Sequence, residues 1–335
     1  MDVRITVTGA TGFLGSYVVD NLINKGFTLR GTYYSPGKKQ TLLSKNVQPV
    51  YMDLGRPETF PNVVKDTDIL IHLAAYYTFT GKKTLYYKLN VDATKILAEQ
   101  ALKHGVKRFI YCSSTEAIGP VDNPPGDEET PPNPQFDYGR SKLLAEQKIK
   151  EIAANGLSYT IIRPSGLYGP GNVNDVSYWF ITSFAKGGFF SKFKIGSGET
   201  LIQFAHVDDV AKGFALVVER LEKSENQVFI LSEDRAYTYN EVYKILSEIT
   251  GNPPPKYSLS PKMAKLILSF THLYALVKGD NNILLRRNIV DSIAKHRAYS
   301  VEKAKRLLGY SPRYNLKEGL KETIEWYRLK GYIKK

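Results

Sequence analysis

The stretch from Val3 to Gly15 constrains the fold more than any other part of the chain. It opens with the alternating β-branched residues Val3, Ile5 and Val7, a pattern that predicts a buried strand. Glycines follow at positions 9, 12 and 15, and residues 16–25 have the apolar spacing of a helix. A strand, a glycine turn and a helix are the start of a dinucleotide-binding βαβ unit, in which the backbone at the turn approaches a pyrophosphate.

The glycine spacing departs from the common Gly-x-Gly-x-x-Gly pattern, because Thr11 stands where the second glycine would be. Ordinary tight turns between a strand and a helix also carry glycines. The position between a predicted strand and a predicted helix favours the nucleotide site. We therefore expect the cofactor phosphates to contact Gly9, Thr11, Gly12, Phe13, Leu14 and Gly15.

Composition excludes several classes of protein. Hydrophobic residues make up 42% of the 335, and the single Cys112 excludes a disulfide framework. No cysteines and histidines have metal-ligand spacing, so no metal is expected. Because no signal peptide is visible before the first strand, we expect a cytoplasmic protein.

The net charge of +13 has more than one interpretation. A basic surface can attract nucleic acid, anionic lipid or an anionic cofactor. Much of the charge lies on predicted C-terminal helices, where acids such as Glu302 and Glu318 accompany the lysines. This pattern favours a solvated helix face. Nucleic acid is not an expected partner, since no recognition helix or stacking sheet accompanies the charge.

Strands and helices alternate through the first half of the chain. This alternation predicts an α/β fold, a Rossmann-type doubly wound parallel sheet with right-handed crossovers. We expect the dinucleotide-binding domain at residues 1–165, with residues 226–232 completing its sheet. After the first strand, the strands are expected at residues 27–34, 47–52, 68–73, 107–112 and 157–163, with long helices at 84–104 and 138–154.

From Gly166 onward, glycines and aromatic residues are dense and the periodicity is weak. Residues 166–225 and 233–335 are expected to form a smaller, mostly helical substrate-binding region. Within it, residues 263–277 are apolar but too few to span a bilayer. A buried helix is one interpretation of this segment, and a weak membrane-surface contact or a lid over an oily substrate is the other.

Tyr138 and Lys142 lie four residues apart at the start of a predicted helix, so that both are on one face. An unperturbed phenol titrates near pH ~10, and a nearby lysine cation favours the phenolate. Ser114 follows the fifth strand, at the same sheet edge as the glycine turn. A lone Tyr-x-x-x-Lys is usually a surface pair, but here it accompanies a strand-end serine in a dinucleotide fold. These three residues are our candidates for acid/base chemistry.

Together the motifs resemble the extended short-chain dehydrogenase/reductase family, also called the NAD-dependent epimerase/dehydratase family. Within the family, they are most similar to the dihydroflavonol reductase and 3β-hydroxysteroid dehydrogenase branches. The resemblance covers nearly the whole length, with the motifs in the family's order. They are Thr8 to Gly15, Asp53-Leu54, His72-Leu73-Ala74-Ala75, Asn90-Val91, Ser113-Ser114, Tyr138-x-x-x-Lys142, Arg163-Pro164, His206 to Val210 and Ala304 to Pro312.

The resemblance implies a role for each of these residues. Tyr138 would be the acid/base, Lys142 would hold the nicotinamide ribose and lower the tyrosine pKa, and Ser114 would position the reacting oxygen. A small-molecule substrate and a homodimer are expected. Beyond the glycine turn, the expected cofactor contacts are Ser35, Lys38, Asp53, Leu54, Ala74, Ala75, Asn90, Tyr138, Lys142 and Pro164.

The loop after the second strand bears on the choice of cofactor. NAD-preferring sites often carry an acid there, which holds the ribose hydroxyls. In this chain the loop reads Gly31 to Lys39, with no acid and two lysines. We expect Ser35, Lys38 or Lys39 to accept a 2′-phosphate, which favours NADP over NAD.

Glu116 and Ile202 bear on the substrate. By the resemblance, Glu116 occupies the glutamate of a sugar-dehydratase Thr-Asp-Glu triad, but Thr115 replaces the aspartate, which disfavours a dehydratase. Nucleotide-sugar enzymes place an arginine where this chain has Ile202, and its fork grips the diphosphate. We therefore expect a less polar alcohol or ketone, of flavanol, steroid or isoprenoid character. The expected substrate contacts are Tyr76, Thr115, Glu116, Ser165, Tyr168 and Ile202.

The leading interpretation is an enzyme that moves a hydride between NAD(P) and a secondary alcohol or ketone. A nucleotide-sugar 4-epimerase that uses transient oxidation is the alternative, with Arg286 or Arg287 gripping the diphosphate. A sensor that binds NAD(P) without turnover is a third interpretation. The Ser114, Tyr138 and Lys142 set disfavours the sensor, since cofactor binding alone needs no acid/base pair.

Overall fold

The computed structural model describes residues 3–78, 81–278, 284 and 286–334. Its strands are β1 Ile5–Thr8, β2 Leu29–Tyr33, β3 Gln48–Tyr51, β4 Ile69–His72, β5 Arg108–Cys112, β6 Tyr159–Pro164, β7 Gly166–Tyr168, β8 Phe193–Ile195, β9 Leu201–Ile202, β10 Phe204–His206, β11 Gln227–Leu231, β12 Tyr237–Thr238 and β13 Tyr257–Leu259. Its helices are α1 Phe13–Asn24, α2 Lys39–Leu43, α3 Phe60–Val64, α4 Lys83–Tyr86, α5 Ala93–Lys103, α6 Asp137–Ala153, α7 Val176–Ala185, α8 Val207–Glu219, α9 Leu221–Ser224, α10 Tyr239–Thr250, α11 Pro261–Lys278, α12 Ile289–Ile293, α13 Glu302–Leu308 and α14 Leu316–Leu329. Short 3₁₀ turns lie at Pro36–Lys38, Pro57–Thr59, Thr115–Ala117 and Phe189–Lys192, and a π-helical turn lies at Tyr87–Asp92.

Seven strands form the central sheet in the order β3-β2-β1-β4-β5-β6-β11, and every pairing is parallel. This order confirms the Rossmann-type doubly wound fold, in which the chain reverses its direction of winding between β1 and β4. β11 pairs with β6 from Gln227 to Leu231, as expected for the last strand of the sheet. Ligands of such folds bind outside the carboxyl ends of the strands at the reversal.

The apolar layer that covers the sheet includes segments from late in the chain. Val210 and Phe214 of α8 and Leu308 of α13 are fully buried in one cluster with Val18 and Leu22 of α1. The sequence-based division assigned α8 and α13 to the substrate-binding region. In the structure both helices pack with α1 in the apolar layer that covers the sheet.

A second cluster lies outside the sheet and is rich in aromatic residues. It joins α7, α10, α12 and α14, and its members include Phe184, Tyr243 and Tyr327. α11 contacts this cluster through Ala264 and Leu268, which are 2% and 9% exposed. Among the described residues, no helix is long and apolar enough to cross a membrane.

Candidate active site

The glycine turn lies at the carboxyl edge of the sheet, where β1 and β4 are neighbours. Gly9 has φ +67°, in the left-handed region that favours glycine. A Cβ on Gly9 would lie 2.8 Å from the Ala74 amide nitrogen, and a Cβ on Gly15 would overlap the Gly9 carbonyl oxygen. The backbones of β1, β4 and α1 therefore meet at a distance that only glycine allows, and the turn keeps its surface free of side chains.

α1 begins at Phe13 with no side-chain cap at Gly12 and no acidic residue in its first turn. Amide groups in a first turn lack helical partners, and the helix dipole adds positive potential there. The turn therefore fits the pyrophosphate of a dinucleotide. Thr11 borders the same point, whereas the Leu14 side chain is buried in the core, so Leu14 can contribute only its backbone.

The residues expected at the adenine end follow β2 and β3, on the same side of the winding reversal. Ser35 and Lys38 are exposed in and beside the 3₁₀ turn Pro36–Lys38. Asp53 Oδ1 accepts a hydrogen bond from the Gly55 amide at 2.7 Å, which turns the chain after β3. Leu54 is half-buried beside it. These groups lie at one end of the edge, as a cofactor that extends from the glycine turn requires.

Tyr138 is in the first turn of α6, and Ser114 is in the turn that follows β5. α6 packs so closely on this turn that a Cβ on Gly139 would overlap the Glu116 carbonyl oxygen. The Ser114 hydroxyl accepts a hydrogen bond from the Glu116 amide at 3.1 Å, which fixes its position. The glycine next to Tyr138 therefore brings the start of α6 against the serine turn.

Lys142 is 2% exposed, and its Nζ donates a hydrogen bond to the Cys112 carbonyl at 2.8 Å. Nζ lies 5.7 Å from the ring centroid of Tyr138 and 4.9 Å from that of Tyr111. Burial lowers the pKa of Lys142 below its ordinary value. The end of β5 therefore fixes the ammonium between two aromatic rings, one turn of helix away from the Tyr138 backbone.

Burial raises the pKa of Tyr138 well above 10, and the nearby Cys112, Asp175 and Glu116 add to the rise. The resemblance implied the opposite direction, with Lys142 lowering this pKa. The loss of water around the phenol and the facing acidic groups outweigh the lysine in the protein alone. At neutral pH the phenol therefore holds its proton and is a donor.

Tyr77 and Asp175 form a chain of contacts that ends at Tyr138, and neither residue could be predicted from the sequence. The rings of Tyr77 and Tyr138 meet edge to face, with 4.9 Å between centroids. The Tyr77 hydroxyl donates a hydrogen bond to Asp175 Oδ1 at 2.6 Å, and the same oxygen accepts from the Val176 amide at the start of α7. Burial raises the pKa of Asp175. This chain of contacts links the candidate acid/base to α7.

A buried ion pair fixes α6 against the sheet. Glu146 accepts hydrogen bonds from Arg163 Nε at 2.9 Å and Arg163 Nη2 at 2.7 Å, and a further one from the Ser113 hydroxyl. Glu146 is 1% exposed and Arg163 6%. The pair joins β5, β6 and α6, so it sets where Tyr138 and Lys142 lie. Arg163 was noted in the sequence, but its partner was not, because a glutamate on a predicted amphipathic helix usually faces water.

Asn90 lies in the π-helical turn, where the sequence predicts one unbroken helix over residues 84–104. Its Oδ1 accepts from the Tyr76 amide at 2.7 Å, and its Nδ2 donates to the Tyr76 carbonyl at 3.1 Å and the Ser141 hydroxyl at 3.0 Å. A π turn adds a residue to the helix and redirects the side chain. The Asn90 amide therefore holds the segment after β4, including Ala75 and Tyr76, against α6.

Arg297 lies beside Ile202 through a backbone bridge between the two residues. The guanidinium is 7% exposed, and its Nε donates to Glu116 Oε1 at 2.8 Å. Glu116 Oε2 and Arg297 Nη2 have no hydrogen-bond partner among the described residues. Glu116 is thus held in an ion pair, whereas a glutamate that acts as the base of a dehydratase has to be free to accept a proton. An arginine does stand next to the aliphatic Ile202, supplied from late in the chain.

Three of the expected substrate contacts, Thr115, Ser165 and Tyr168, are buried in the structure. Thr115 is 4% exposed. Ser165 is 5% exposed, and its hydroxyl shares a hydrogen bond of 2.6 Å with Ser232. Tyr168 is fully buried in the second cluster, and its hydroxyl donates to Glu233 Oε1 at 2.7 Å. Ser165 and Tyr168 hold the end of the sheet to the C-terminal region, because the chain turns inward after Pro164.

A cavity of about 320 Å³ lies between α7, α10, α11 and α12. Apart from Ser183 and Ser191, the side chains that line it are aromatic or aliphatic. Phe180 and Phe184 of α7 line it, five and nine residues beyond Asp175, or about 8 and 14 Å along a helix. α7 therefore begins at the Asp175–Tyr77 contacts beside Tyr138, and its later turns line the cavity.

The model of the family described as "NAD dependent epimerase/dehydratase family" matches residues 5–231. The chain belongs to this family. A sterol-4-alpha-carboxylate 3-dehydrogenase, decarboxylating, of Mus musculus is 28% identical over 337 residues, covering 96% of this chain and 90% of that protein. The solved structure of gox2253 is 30% identical with a TM-score of 0.83, and each chain is covered completely. A UDP-glucose 4-epimerase of Thermotoga maritima, solved with UDP-glucose, is 28% identical with a TM-score of 0.77, over 98% of this chain and 99% of that one.

Membership of the epimerase/dehydratase family makes this protein an NAD(P)-dependent enzyme of the extended short-chain dehydrogenase/reductase type. The matched residues end with β11, so they contain the whole sheet, the glycine turn, Ser114, Tyr138 and Lys142. Most of the cavity wall, from α10 to α12, lies beyond them. The family model therefore covers the carboxyl edge of the sheet, and more than half of the residues that line the cavity lie outside it.

Proposed function

We propose that this enzyme moves a hydride between the nicotinamide of NAD(P) and a secondary alcohol or ketone of a relatively apolar substrate. Tyr138 is the acid/base, Ser114 positions the reacting oxygen, and Lys142 holds the nicotinamide ribose. The carboxyl-edge cluster of phenol, hydroxyl and buried ammonium supports these roles. The single observation that carries the apolar substrate is the aromatic and aliphatic cavity reached along α7.

In the direction of reduction, a nicotinamide cofactor held by the glycine turn and Lys142 would supply the hydride that the carbonyl carbon accepts. The Ser114 hydroxyl donates a hydrogen bond to the carbonyl oxygen and holds it near the phenol. Tyr138 transfers its proton to that oxygen, so the ketone gains one hydride and one proton and becomes a secondary alcohol. Its pKa above 10 keeps the phenol protonated at neutral pH, as a proton donor requires. The Lys142 ammonium stabilises the phenolate that remains.

The cavity suits hydrocarbon more than a nucleotide. Its polar groups are two serines and the hydroxyl of Tyr243, and aromatic rings from α7 and α10 form one wall. Desolvating a diphosphate there would cost far more than desolvating an aliphatic ring system, because charged groups lose their hydration. A volume of about 320 Å³ is at the lower end of the range for small-molecule sites and accommodates a part of a steroid or an isoprenoid chain.

We further propose that the enzyme prefers NADP. Ser35, Lys38 and Lys39 are exposed after β2, and no acid stands among them. A lysine near the ribose attracts the negative charge of a 2′-phosphate, whereas an acid at this place accepts hydrogen bonds from free ribose hydroxyls. Titration of both cofactors should show tighter binding of NADP, and Lys38→Glu with Lys39→Glu should weaken NADP at least about tenfold while leaving NAD nearly unchanged. Tighter binding of NAD would contradict the preference.

A nucleotide-sugar 4-epimerase is the second candidate. The similarity to a UDP-glucose 4-epimerase favours it, and so does Arg297, which stands next to Ile202. The Arg297 guanidinium is, however, held by Glu116. Arg286 is buried and Arg287 is exposed just before α12, close to the apolar cavity rather than beside Ile202.

Two assays separate the candidates. Oxidation of NADPH, followed by absorbance, is measured with 2-alkanones of increasing length and with a 3-ketosteroid, and we expect kcat/KM to rise with apolar size. Calorimetry of UDP on the NADP-loaded enzyme should show no binding. Micromolar UDP affinity that Arg297→Ala removes and Ile202→Ala keeps would overturn the apolar substrate and favour the epimerase.

A further inference from the structure

α11 presents apolar side chains to solvent along one face. Met263, Leu266, Phe270, Leu273 and Val277 follow the three- and four-residue spacing of a single helical stripe. Their exposed fractions are 51, 59, 74, 64 and 77%. A helix on a soluble domain normally places its apolar stripe inward and its charges outward. Here the inward face holds Ala264 and Leu268, and the outward stripe, which also carries Ile267 and Tyr274, has no cover among the described residues.

The surroundings of this stripe are basic. Residues 251–279 contain four lysines and no aspartate or glutamate, and residues 183–196 contain three lysines and again no acid. Lys192, Lys256 and Lys262 are exposed. Lys265 makes an ion pair of 2.6 Å with Asp291. Asp291 is the first acid after α11 in the part of the chain that the structure describes. An exposed apolar stripe flanked by exposed lysines is complementary to a surface that is both apolar and negatively charged.

The stripe is continuous with the cavity. Ile267 is 40% exposed and also lines the cavity, together with Ala264 and Leu268 from the inward face of the helix. α11 is therefore both the outer wall of the apolar cavity and the carrier of the exposed stripe. Whatever covers the stripe also lies next to an opening into the hydrocarbon-lined space.

We propose that α11 docks the enzyme on an anionic lipid surface, with its apolar stripe in the interface and the lysines on the headgroups. The docked helix lets an apolar substrate pass between the membrane and the cavity without crossing water. This second step rests on the proposed function, and the docking itself does not. Lysines near an anionic leaflet and apolar side chains below the headgroups strengthen each other, because each brings the other into range.

A second copy of the chain fits the stripe less well than lipid does. A two-fold contact places the same patch of both copies face to face. Such a contact at α11 would place the basic patch around this helix, which includes the exposed Lys256 and Lys262, against the same patch of the other copy. Like charges across an interface oppose association.

The test is sedimentation of the protein with vesicles, without cofactor or substrate. Vesicles of phosphatidylcholine alone are compared with vesicles that also contain phosphatidylglycerol. We expect binding to the mixed vesicles that is at least about tenfold stronger than to the neutral ones and that weakens with added salt. Phe270→Glu and Leu273→Glu should each lower it at least about tenfold, since a carboxylate must then enter the interface.

Leu329→Glu in α14 is the matched control, because Leu329 is 81% exposed and lies outside the stripe. This variant adds the same charge and should keep wild-type vesicle affinity. Equal loss in Leu329→Glu, or full binding by Phe270→Glu, would overturn the proposal. A wild-type protein that ignores both vesicles, with a dimer that Phe270→Glu dissociates in size exclusion, would overturn it in favour of a second copy. Reduction of a short water-soluble ketone is measured separately. If it is absent while vesicle binding is present, the proposed function fails and the docking does not.

Discussion

The carboxyl edge of the sheet and the apolar cavity differ in the kind of contact that builds them. At the edge, polar side chains are fixed by bonds between distant parts of the chain, such as the Glu146–Arg163 pair and the bond from Lys142 to the Cys112 carbonyl. In the cavity, aromatic and aliphatic side chains such as Phe184 and Tyr243 meet with little polar contact. The carboxyl edge holds individual polar atoms in place, whereas the cavity provides an apolar volume.

This difference follows from what each region does in the proposed function. Proton and hydride transfer need reacting groups that are positioned to within a few tenths of an ångström. Buried charge pairs provide that precision at a cost in desolvation. Recognition of an apolar substrate needs area and volume, which hydrocarbon walls supply without fixed directions. Substitutions at the edge should therefore change rates or stability sharply, whereas those in the cavity should change selectivity.

The largest expected effect is at the edge. Tyr138→Phe removes only the hydroxyl, and we expect kcat to fall at least about hundredfold, because a positioned general acid contributes about 10²–10⁴. The dissociation constant of NADPH, measured by fluorescence, should stay within about twofold of wild type. Full turnover in this variant would place the proton donor elsewhere and break the contrast between the two regions.

The edge was predictable from the sequence and the cavity was not, for a physical reason. The glycine turn, Ser114 and the Tyr138–Lys142 pair are local patterns, since each depends on residues close together in the chain. Arg297 and Asp175 are each more than thirty positions in the sequence from the site residues that they contact, so no spacing pattern indicates them. Glu146 lies one turn from Lys142, but its buried partner Arg163 is on another strand.

The same limit applies to α11. Its apolar composition was visible, and both a buried helix and a surface contact remained open, because the sequence does not show which face of a helix meets the core. Phe270 at 74% exposure and Leu268 at 9% are two residues apart. Only the packing of α11 against the second cluster distinguishes them.

An effect of comparable size is expected from the ion pair that fixes α6. Glu146→Ala leaves Arg163 buried without its partner, and we expect a loss of about 3–5 kcal/mol in the free energy of unfolding. Urea denaturation measures it. Glu58→Ala is the control, because Glu58 and Arg56 form an exposed pair of 3.0 Å, and it should leave the unfolding free energy unchanged. A Glu146→Ala protein as stable as wild type would show that the edge is not held by this pair.

The cavity should respond in selectivity rather than in rate. Ser183 lines the cavity, and Ser183→Trp fills part of the space without touching Tyr138. We expect kcat/KM for a 3-ketosteroid to fall at least about tenfold, while that for 2-butanone stays within about twofold, because only the large substrate needs the volume. Equal losses for both ketones would mean that the cavity does not select the substrate.

Two buried histidines should make the stability of the protein depend on pH. Burial lowers the pKa of His72, at the end of β4, to about 3 and that of His206, before α8, to about 4. Both stay neutral in the folded protein, whereas the unfolded chain binds their protons below about pH 6.5. Stability should therefore fall as the pH drops from about 6.5, by up to about 1.4 kcal/mol per pH unit for each histidine. His72→Asn and His206→Asn should each flatten this slope in urea denaturation at several pH values.

The most direct test of the account follows the hydride itself. The enzyme is given a 3-ketosteroid and NADPH in which deuterium replaces both hydrogens on the hydride-donating carbon of the nicotinamide. The alcohol that forms is then examined by mass spectrometry. Transfer from the cofactor predicts one deuterium on the new carbinol carbon, with the hydroxyl proton coming from Tyr138 and finally from water. An alcohol without deuterium would contradict the proposed function, as would no reaction with the ketone together with micromolar binding of UDP.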